Sequence, residues 1–565
     1  MQLRFLIAAV VLAWVVQPDY AVPKNPYRVA TLCTAFPVVI ARHISASNGR
    51  ELQQALDSAM AGDVIALTPG ATFRPVAAQG SFVLRNRGLP ANQWVVIRSA
   101  SSVFDPSGAI PPNTRFDKAH AGDLPQLRAT AVNVPAIVSE RGARGYRLVG
   151  LDIGADDSVH ELPNLVDLVQ GTSDVIVDRC YIHGNDTGNF RRGVLLSGAR
   201  LSVIESVVEN FHDANTDSQA VGGSLGPGPF KIVNNLLEAA SENIMFGGAD
   251  PTVANLTPSD IEVRRNLSTK RLAWRSAGIP AKNAFELKNA RRVLVDGNVF
   301  ENVWASGQDG TAILFKSANQ DGGCPWCITE YVTFRNNVVR NAAHGLLINA
   351  SEVGRAGAAL PPRANHIDID NVLFENIGSG DWGGGKLFRV FGGVADVSIT
   401  HVTSSSNPYG ILDPGGPDDT NPRLVFKFNL VERKLYGIGA GADEGQRTLQ
   451  RNFPSFSYDQ NVIVNTSVGS DQAIDDATLT SRYPSKTWVV GGWAAVGIDT
   501  SVYVLSSGSR FRKAASDGKD LGIDSDALNA AQAGPGGSAG CVAADRSQPL
   551  PFFARGGGRW PQPFL

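Results

Sequence analysis

A ten-residue segment that recurs along most of the chain constrains its fold more than any other feature. The pattern is apolar-x-apolar-x-x-Asn-apolar-apolar-x-Asn, and between Leu148 and Tyr458 it returns about every 31 residues with no helical pattern between copies. Alternation of apolar and other residues buries one face of a short strand. Each repeat is therefore predicted to form one coil of a parallel β-solenoid. Clear copies are FKIVNNLLEA from Phe230, VLVDGNVFEN from Val293, VTFRNNVVRN from Val332 and IDIDNVLFEN from Ile367.

An asparagine stands three residues after the second apolar position of many copies. Asparagine tolerates the left-handed conformation of a turn. When coils stack ~4.8 Å apart, the side-chain amides of such a column can hydrogen-bond to each other. We therefore assign this column to structure and not to chemistry. It comprises Asn235, Asn266, Asn298, Asn337, Asn429 and Asn461.

The entrance to the repeats has a sequence pattern of its own, NGRELQQALDSAMAGDVIALTPGATF from Asn48 to Phe73. In it Leu52, Ala55 and Leu56 fall at helical spacing. Together with the asparagine column, this segment resembles the right-handed parallel β-helix proteins of the pectate-lyase-like superfamily. The resemblance implies an all-β, single-stranded right-handed parallel β-helix of about 11 or more coils over residues 43–470, with an N-terminal capping helix.

The two ends of the chain differ from the repeats. Arg4 precedes an apolar run over Phe5–Val16, which is too short to span a bilayer and is typical of a signal peptide. We predict that residues 1–21 are a signal peptide, the alternative being a buried N-terminal strand. Residues 471–532 are predicted to close the solenoid, and residues 533–565 form a Gly/Pro-rich tail. No later apolar run is long enough for a membrane span, so a secreted or periplasmic protein is expected.

Charge and cysteine content exclude several classes of function. Lys and Arg number 51 and Asp and Glu number 53, a net charge of −2, which argues against nucleic-acid binding and polybasic membrane binding. The five cysteines are too few for a disulfide scaffold. Cys324 and Cys327 have C-x-x-C spacing, and we expect a disulfide that pins a local loop. Free thiols and redox or metal chemistry are the alternatives.

The strands that precede successive copies of the repeat can be aligned with one another. This alignment places Lys288 and Lys316 at the same outward position on neighbouring coils. Glu286 and Arg389 occupy the outward position two residues earlier on their own coils. Like charges this close are costly unless a carboxylate such as Glu286 or a polyanionic ligand relieves them. Crowding is also expected to lower a lysine pKa, which suits a general base. The alternative is two solvated lysines that splay apart.

The two longest insertions lie on neighbouring coils, between Val295 and Phe334 and between Phe334 and Ile369. Solenoids carry function on such loops and on stacked surface positions. Aromatic, amide and cationic side chains suit the wall of a sugar cleft, whereas the alternative is loops without function. The candidate substrate-binding residues are Trp304, Gln308, Asn319, Trp326, Asn349 and Arg275.

Two polar segments on neighbouring coils, HGNDTGNFRRG from His183 and HDANTDSQ from His212, suggest a metal site. Carboxylate oxygens are the ligands that calcium prefers. We therefore predict possible calcium binding at Asp186, Asp213 and Asp217. Ordinary loop polarity explains these residues equally well.

The stacked lysines make the chain similar to β-helix polysaccharide lyases that cut uronate polymers by β-elimination. The resemblance implies that cationic side chains or calcium neutralise the substrate carboxylate while a base removes the adjacent proton. Lys288, Lys316, Glu286 and Arg389 are the catalytic candidates, and a monomer acting on an acidic polysaccharide is expected. A non-catalytic carbohydrate-binding or cell-surface protein and a glycoside hydrolase are the alternatives.

Overall fold

The computed structural model describes residues 29–35, 41–76 and 80–534. The predicted signal peptide and residues 535–565 of the predicted tail lie outside this part of the chain. The described residues form three long sheets in which every neighbouring pair of strands is parallel. The predicted right-handed parallel β-helix is thereby confirmed.

Sheet A contains the recurring segment that dominates the sequence. The second apolar residues of the eleven copies, from Leu148 to Tyr458, pair with one another in an unbroken register across its strands. Its strands are His43–Ala46, Val64–Leu67, Val95–Ser99, Arg144–Val149, Ser173–Asp178, Ala199–Ile204, Phe230–Val233, Ser259–Arg264, Ala290–Asp296, Thr329–Arg335, Asn365–Asp370, Ala395–Thr400, Leu424–Lys427 and Ser457–Asp459.

Sheet B follows sheet A after a short turn on most coils, the exception being the long connection 100–125. Its strands are Thr72–Phe73, Gln126–Ala129, Asp152–Ala155, Tyr181–His183, Val207–Phe211, Leu236–Ala239, Leu267–Thr269, Val299–Val303, Val338–Ala342, Leu373–Ile377, Thr403–Ser405, Leu430–Arg433, Asn461–Asn465 and Thr487–Val490.

Sheet C completes each coil and is reached from sheet B through connections of very different length. Its strands are Phe82–Leu84, Ile137–Ser139, Val166–Leu168, Arg192–Leu196, Gln219–Gly223, Glu242–Phe246, Phe285–Leu287, Thr311–Asn319, His344–Val353, Lys386–Phe391, Gly410–Asp413 and Tyr436–Ile438.

The remaining elements lie at the ends and in the connections. The strand Glu161–Leu162 pairs with Asn189–Phe190, and Ile498–Asp499 pairs with Val504–Leu505. The α-helices are Gly49–Asp57, Leu272–Ser276, Gln446–Asn452, Asp476–Ser481 and Ser525–Ala533, and the 3₁₀ turns are Ser102–Phe104, Lys118–Asp123, Gly380–Trp382, Gly441–Asp443 and Trp493–Ala495.

The predicted asparagine ladder is present at the turn between sheets A and B. The Nδ2 of Asn235 donates to Oδ1 of Asn266, and the same bond of 2.9–3.0 Å continues to Asn298 and Asn337. Each Oδ1 also accepts a backbone N–H of the preceding coil, as Asn298 does from Asn266. The column is therefore a buried hydrogen-bonded stack, as its fixed turn position indicated.

The helix Gly49–Asp57 closes the N-terminal end of the solenoid. Its Leu52, Ala55 and Leu56 are buried, and the helix contacts the first strands of all three sheets. Asn48 caps it by accepting a hydrogen bond from the backbone N–H of Glu51. No helix within the described ranges is both long and apolar enough to cross a lipid bilayer.

Candidate functional site

The outer face of sheet C lies between two rows of long connections. Residues 270–284, 304–310 and 378–385 lead into it from sheet B, and residues 247–258 and 320–328 lead out of it toward sheet A. The inward residues of its strands, such as Phe285 and Phe315, belong to the apolar core. The outward residues between them therefore lie along a groove, and these are the positions that the sequence alignment assigned to chemistry.

Lys288 and Lys316 lie on neighbouring strands in the register that the sequence indicated, since Leu287 pairs with Phe315. The Nζ atoms of Lys288 and Lys316 stand 3.6 and 3.7 Å from the same Oε1 of Glu286. Glu286 is fully buried, so two ammonium groups flank one carboxylate beneath the groove.

The charge state of Lys288 differs from the sequence-based expectation. Burial alone would lower the pKa of Lys288, but Glu286 and the more distant carboxylates of Glu242, Asp217 and Glu352 outweigh it. The pKa of Lys288 is therefore raised, and the expected lowering by crowding is wrong for this residue. Lys288 stays protonated at neutral pH and acts as a fixed cation.

Lys316 lies in the wall of a cavity of about 350 Å³. Its Nζ donates to Oε2 of Glu352 at 2.9 Å, and the Glu352 side chain is 41% exposed, whereas that of Lys316 is 8% exposed. The exposed carboxylate thus covers a nearly buried cation. The cavity is lined by Asn283, Gln308, Asp309, Thr311, Leu314, Lys316, Leu347, Asn349 and Glu352.

Arg389 stands beside this cavity, two strands further along sheet C. Its Nη1 lies 2.7 Å from Oδ2 of Asp309, and its Nη2 donates to the hydroxyl of Thr311. Burial would raise the pKa of Asp309, but the guanidinium of Arg389 holds it below its ordinary value. Asp309 is therefore an ionised partner that keeps Arg389 over the groove.

A group of buried side-chain oxygens reaches the cavity through Asn283. Within the described part of the chain, Oε1 of Gln219, Oε1 of Glu242, Oδ1 of Asn283 and both carboxylate oxygens of Glu286 have no hydrogen-bond partner. Gln219 and Glu242 are paired on neighbouring strands, and Asn283 and Glu286 belong to the next coil. Unpaired buried acceptors are costly, so their concentration here needs a compensating cation or proton.

The charge state of Glu242 depends on its burial and on its neighbours in this group. Burial, followed by the repulsion of Glu286 and Asp217, raises its pKa to about 7, against the partial relief that Lys282 provides. Two carboxylates and two amide oxygens form a donor set that suits a hard cation such as Ca²⁺. No group of three or more His, Cys, Asp or Glu side chains in residues 29–35, 41–76 and 80–534 is placed to hold a metal, so any such site depends on the amides.

The three aspartates predicted to bind calcium are not brought together, and this prediction is corrected. Asp186 is exposed and accepts from Asn210 and Arg271. Asp213 accepts backbone N–H groups within its own turn, and Asp217 pairs with Lys282. Each carboxylate already serves its loop or a neighbouring cation, which residue spacing alone could not show.

The predicted sugar-binding loops divide into groove residues and structural ones. Gln308 and Asn349 line the cavity. Trp304 is 3% exposed and packs with Trp274 and Ala281, so the expected sugar platform is instead the small core of a loop cluster. The physical reason is that two connections from neighbouring coils meet over this ring and exclude water from it.

Asn319 and Trp326 also hold the loops together. Asn319 is buried, its Nδ2 donates to Ala359 O, and its Oδ1 accepts from the backbone of Cys324. The indole of Trp326 donates to a carbonyl of the facing loop at 3.2 Å. The predicted disulfide between Cys324 and Cys327 is confirmed. These groups stabilise one wall of the groove.

Arg275 is exposed on the opposite row of connections. Its guanidinium lies 5.5 Å from the centre of the Trp382 ring and donates to the carbonyl of Asp381. It therefore links two loops and remains open to solvent.

His344 belongs to the groove and was missed by the sequence analysis. Burial, then Arg389, lowers its pKa to about 4, so the ring is neutral at pH 7. Its Nδ1 accepts from the backbone N–H of Lys386, so the proton is assigned to Nε2. A neutral ring in this tautomer donates a hydrogen bond and does not act as a base there. The strand alignment could have indicated His344, because it pairs with Thr311 on the neighbouring strand of sheet C.

Comparison with known proteins adds information on architecture. No family model matches this chain, and no curated protein matches it. Solved structures with similar folds include an alginate lyase from Paenibacillus sp. str. FPU-7, 16% identical with a TM-score of 0.35 over 66% of this chain and 98% of that one.

Two further solved structures have the same kind of fold. The family 6 alginate lyase AlyGC is 13% identical with a TM-score of 0.43, over 79% of this chain and 51% of that one. An exopolygalacturonase from Thermotoga maritima is 10% identical with a TM-score of 0.39, over 77% of this chain and 94% of that one. One fold hosts many functions, so the function of this chain has to be argued from its own residues.

Proposed function

We propose that this protein is a polysaccharide lyase that cleaves an acidic polysaccharide in the groove over sheet C. The observation that carries the proposal is the pair Lys288 and Lys316 around the single buried carboxylate of Glu286, beside an open cavity. β-Elimination needs a cation for the uronate carboxylate and a proton acceptor close to it. The proposal includes action as an exported monomer.

The exposed carboxylate of Glu352 supports a binding mode for an anionic sugar. Glu352 is 41% exposed and is the closest partner of Lys316 at 2.9 Å. A substrate carboxylate that enters the cavity can replace it without leaving Lys316 unpaired. Asp309 occupies a similar exposed position on Arg389 and can yield in the same way. The groove thus contains two cations, Lys316 and Arg389, whose carboxylate partners can be replaced by carboxylates of a substrate.

The roles of the two lysines follow from their surroundings. Lys288 remains charged because carboxylates surround it, so it is suited to hold the substrate carboxylate. Lys316 lines the cavity, whereas Lys288 does not, so Lys316 is the lysine that reaches the sugar. Lys316, once its own proton has passed to Glu352, is therefore the proposed acceptor of the C5 proton next to the uronate carboxylate. The electron pair of that C–H bond forms the C4–C5 double bond while the C4–O glycosidic bond breaks, and the proton taken by Lys316 passes to the leaving oxygen. Arg389 is the proposed cation for the neighbouring sugar unit.

Calcium binding is proposed at the buried oxygen group and not at the three aspartates. Gln219, Glu242, Asn283 and Glu286 would hold the ion through the acceptors that lack hydrogen bonds. A bound calcium ion would supply positive charge that favours a nearby substrate carboxylate and its more negative transition state. Asn283 also lines the cavity, which connects this oxygen group with the substrate space.

Ultraviolet absorbance during incubation with alginate, polygalacturonate and dermatan sulfate, with and without calcium, tests the proposal. Lytic cleavage leaves an unsaturated uronate that absorbs, whereas hydrolysis does not. We expect a rise with wild type and Lys519→Ala, and a loss of about 10²–10⁴-fold with Lys316→Ala. Lys519 is an exposed lysine of the C-terminal segment, so it controls for loss of charge.

Every other result contradicts the proposal in a defined way. Unchanged absorbance in Lys316→Ala would place the chemistry elsewhere. Reducing ends without absorbance would establish a hydrolase. Tight binding of a polymer with neither signal would establish a carbohydrate-binding protein.

A further inference from the structure

A second cavity continues the groove beyond Arg389. It has a volume of about 220 Å³ and lies over the strands Lys386–Phe391, Gly410–Asp413 and Tyr436–Ile438, which follow one another in sheet C. The first cavity lies over Thr311–Asn319 and His344–Val353, the two strands before them. The two cavities are therefore consecutive along the axis of the solenoid.

The second cavity combines an aromatic surface with charged edges. Tyr409 is 41% exposed, and the centre of its ring lies 5.3 Å from that of Tyr436. The Nζ of Lys386 stands 5.1 Å from the centre of the Tyr409 ring and 2.7 Å from Oδ2 of Asp413. An exposed tyrosine beside a cation is the surface that the sequence analysis sought at Trp304.

A second ion pair bounds the same cavity. The Nη1 of Arg451 lies 2.6 Å from Oδ2 of Asp443, and both side chains line the cavity. A pyranose ring has an apolar C–H face and a polar rim, so an aromatic ring with ion pairs at its edges matches both. The two cations, Lys386 and Arg451, favour a sugar that carries a carboxylate.

Gly410 keeps this cavity open. It pairs with Lys386 and Tyr436 in the register of sheet C. A Cβ built on Gly410 would meet its nearest atom, Cβ of Tyr436, at 3.4 Å, which is ordinary contact. A Cβ at this position therefore fits the backbone, and a larger side chain there is expected to extend into the cavity that Gly410 lines.

We propose that the second cavity is a binding subsite for a further uronate unit of the same acidic polysaccharide. The chain would lie along the solenoid axis, from Lys316 across Arg389 to Tyr409. Three strand spacings separate the strand of Lys316 from the strand that begins at Gly410, about 14 Å, so only an oligosaccharide of several units reaches both cavities. This inference rests on the proposed function for the identity of the ligand.

Titration calorimetry with alginate and polygalacturonate oligosaccharides of three and six units tests the subsite. Tyr409→Ala removes the ring, Tyr409→Phe keeps it, and Gly410→Leu fills the cavity. We expect Tyr409→Ala and Gly410→Leu to weaken six-unit binding at least about tenfold and three-unit binding less than about twofold. Tyr409→Phe and the control Lys519→Ala should retain wild-type affinity for both lengths.

The outcomes separate this inference from the proposed lyase activity, because binding is titrated in proteins, the wild-type reference included, that also carry Lys316→Ala, in which cleavage of the ligand is expected to be about 10²–10⁴-fold slower. Equal losses for both lengths, no loss for either, or no binding by wild type would overturn the subsite. Length-dependent losses in a protein that yields no unsaturated product would support the subsite and contradict the lyase. Unchanged thermal unfolding of both variants excludes misfolding as the cause of a loss.

Discussion

The outer faces of sheets B and C differ although their strands belong to the same coils. The C-terminal segment folds back over sheet B, where Val338 and Leu373 pack with Tyr503, Ile523 and Leu528. Further along, Leu430 and Val462 belong to a cluster that the same segment completes. Sheet B is thus covered by apolar contacts, and its outer face is part of the stability of the solenoid.

Part of the outer face of sheet A contacts the N-terminal segment 29–35, which is held there by hydrogen bonds. Lys231 donates to Leu32 O and to the hydroxyl of Thr34, and Arg147 donates to Thr34 O. The buried cations of this face therefore have protein partners.

Sheet C keeps its charges next to open cavities, and unpaired buried acceptors are concentrated at and beside its strands, at Gln219, Glu242, Asn283 and Glu286. Buried polar groups without hydrogen-bond partners lower the stability of the fold. A face with a purely structural role is not expected to contain them. The comparison indicates that sheets A and B stabilise the molecule, and it supports sheet C as the face on which we propose the chemistry.

The largest expected difference between the faces lies in the effect of removing a lysine. Lys288→Met should lower lyase activity by about 10²-fold or more, because a carboxylate-binding cation is lost. Lys231→Met should leave activity unchanged and destabilise the fold, since it leaves Leu32 O and Thr34 with fewer partners. Initial rates and thermal unfolding of both variants check this. Loss of activity in Lys231→Met at a temperature where it is folded would break the comparison.

Removal of one asparagine of the ladder should give the largest loss of stability among the substitutions considered. Asn298 accepts from the N–H and Nδ2 of Asn266 and donates to Val263 O and Asn337. Asn298→Ala leaves several buried groups unpaired and should cost about 3–5 kcal/mol of unfolding free energy. Denaturant titration measures this.

A matched asparagine outside the ladder controls for the residue type. Asn215 is exposed in the loop before sheet C, and Asn215→Ala should change stability by less than about 0.5 kcal/mol. Equal effects of the two substitutions would show that the ladder does not stabilise the coils beyond ordinary surface contacts.

The sequence predicts the repeating part of the molecule well because its signal is local and periodic. The positions of the eleven paired apolar residues and of the asparagine ladder follow from the repeat alone. Three earlier strands, which carry Ile44, Ile65 and Ile97 in the same register, lie within the predicted solenoid of residues 43–470 but do not belong to the series of repeats. An insertion between Ile97 and Leu148 hides their period.

The site is predictable only where register decides it. Lys288 and Lys316 lie where the strand alignment placed them, whereas the charge on Lys288 depends on carboxylates from three other segments. Trp304 is buried because loops from separate coils meet over it. Glu242 was missed because its burial and its neighbours are tertiary properties.

Glu242 should make stability depend on pH. Its pKa is about 7 in the folded protein against an ordinary 4.5, so the folded state is penalised increasingly as pH rises from about 4.5 to 7. Glu242→Gln should therefore gain up to about 3 kcal/mol relative to wild type over this range. Below pH 4.5 the two should differ little. Unfolding free energies at several pH values measure this, with the exposed Glu161→Gln as control.

Addition of calcium tests the role of Glu242 in a second way. Addition of calcium at pH 7.5 should raise the melting temperature of wild type and not that of Glu242→Gln, because the ion needs the ionised carboxylate. An equal rise in both would move the calcium site away from Glu242. A pH-independent difference between the proteins would mean that Glu242 is already compensated.

The smallest expected effect belongs to the covered face of sheet B. The hydroxyl of Tyr503 bonds to Ser405 at 2.7 Å and donates to Glu375 at 3.1 Å. Tyr503→Phe should cost about 1–2 kcal/mol of stability, because the apolar packing of the ring remains while two hydrogen bonds are lost. Activity per folded molecule should not change, since sheet C lies elsewhere on the coil. A decrease in kcat without unfolding would show that the C-terminal segment is coupled to the groove and would end the division between a stabilising face and a chemical one.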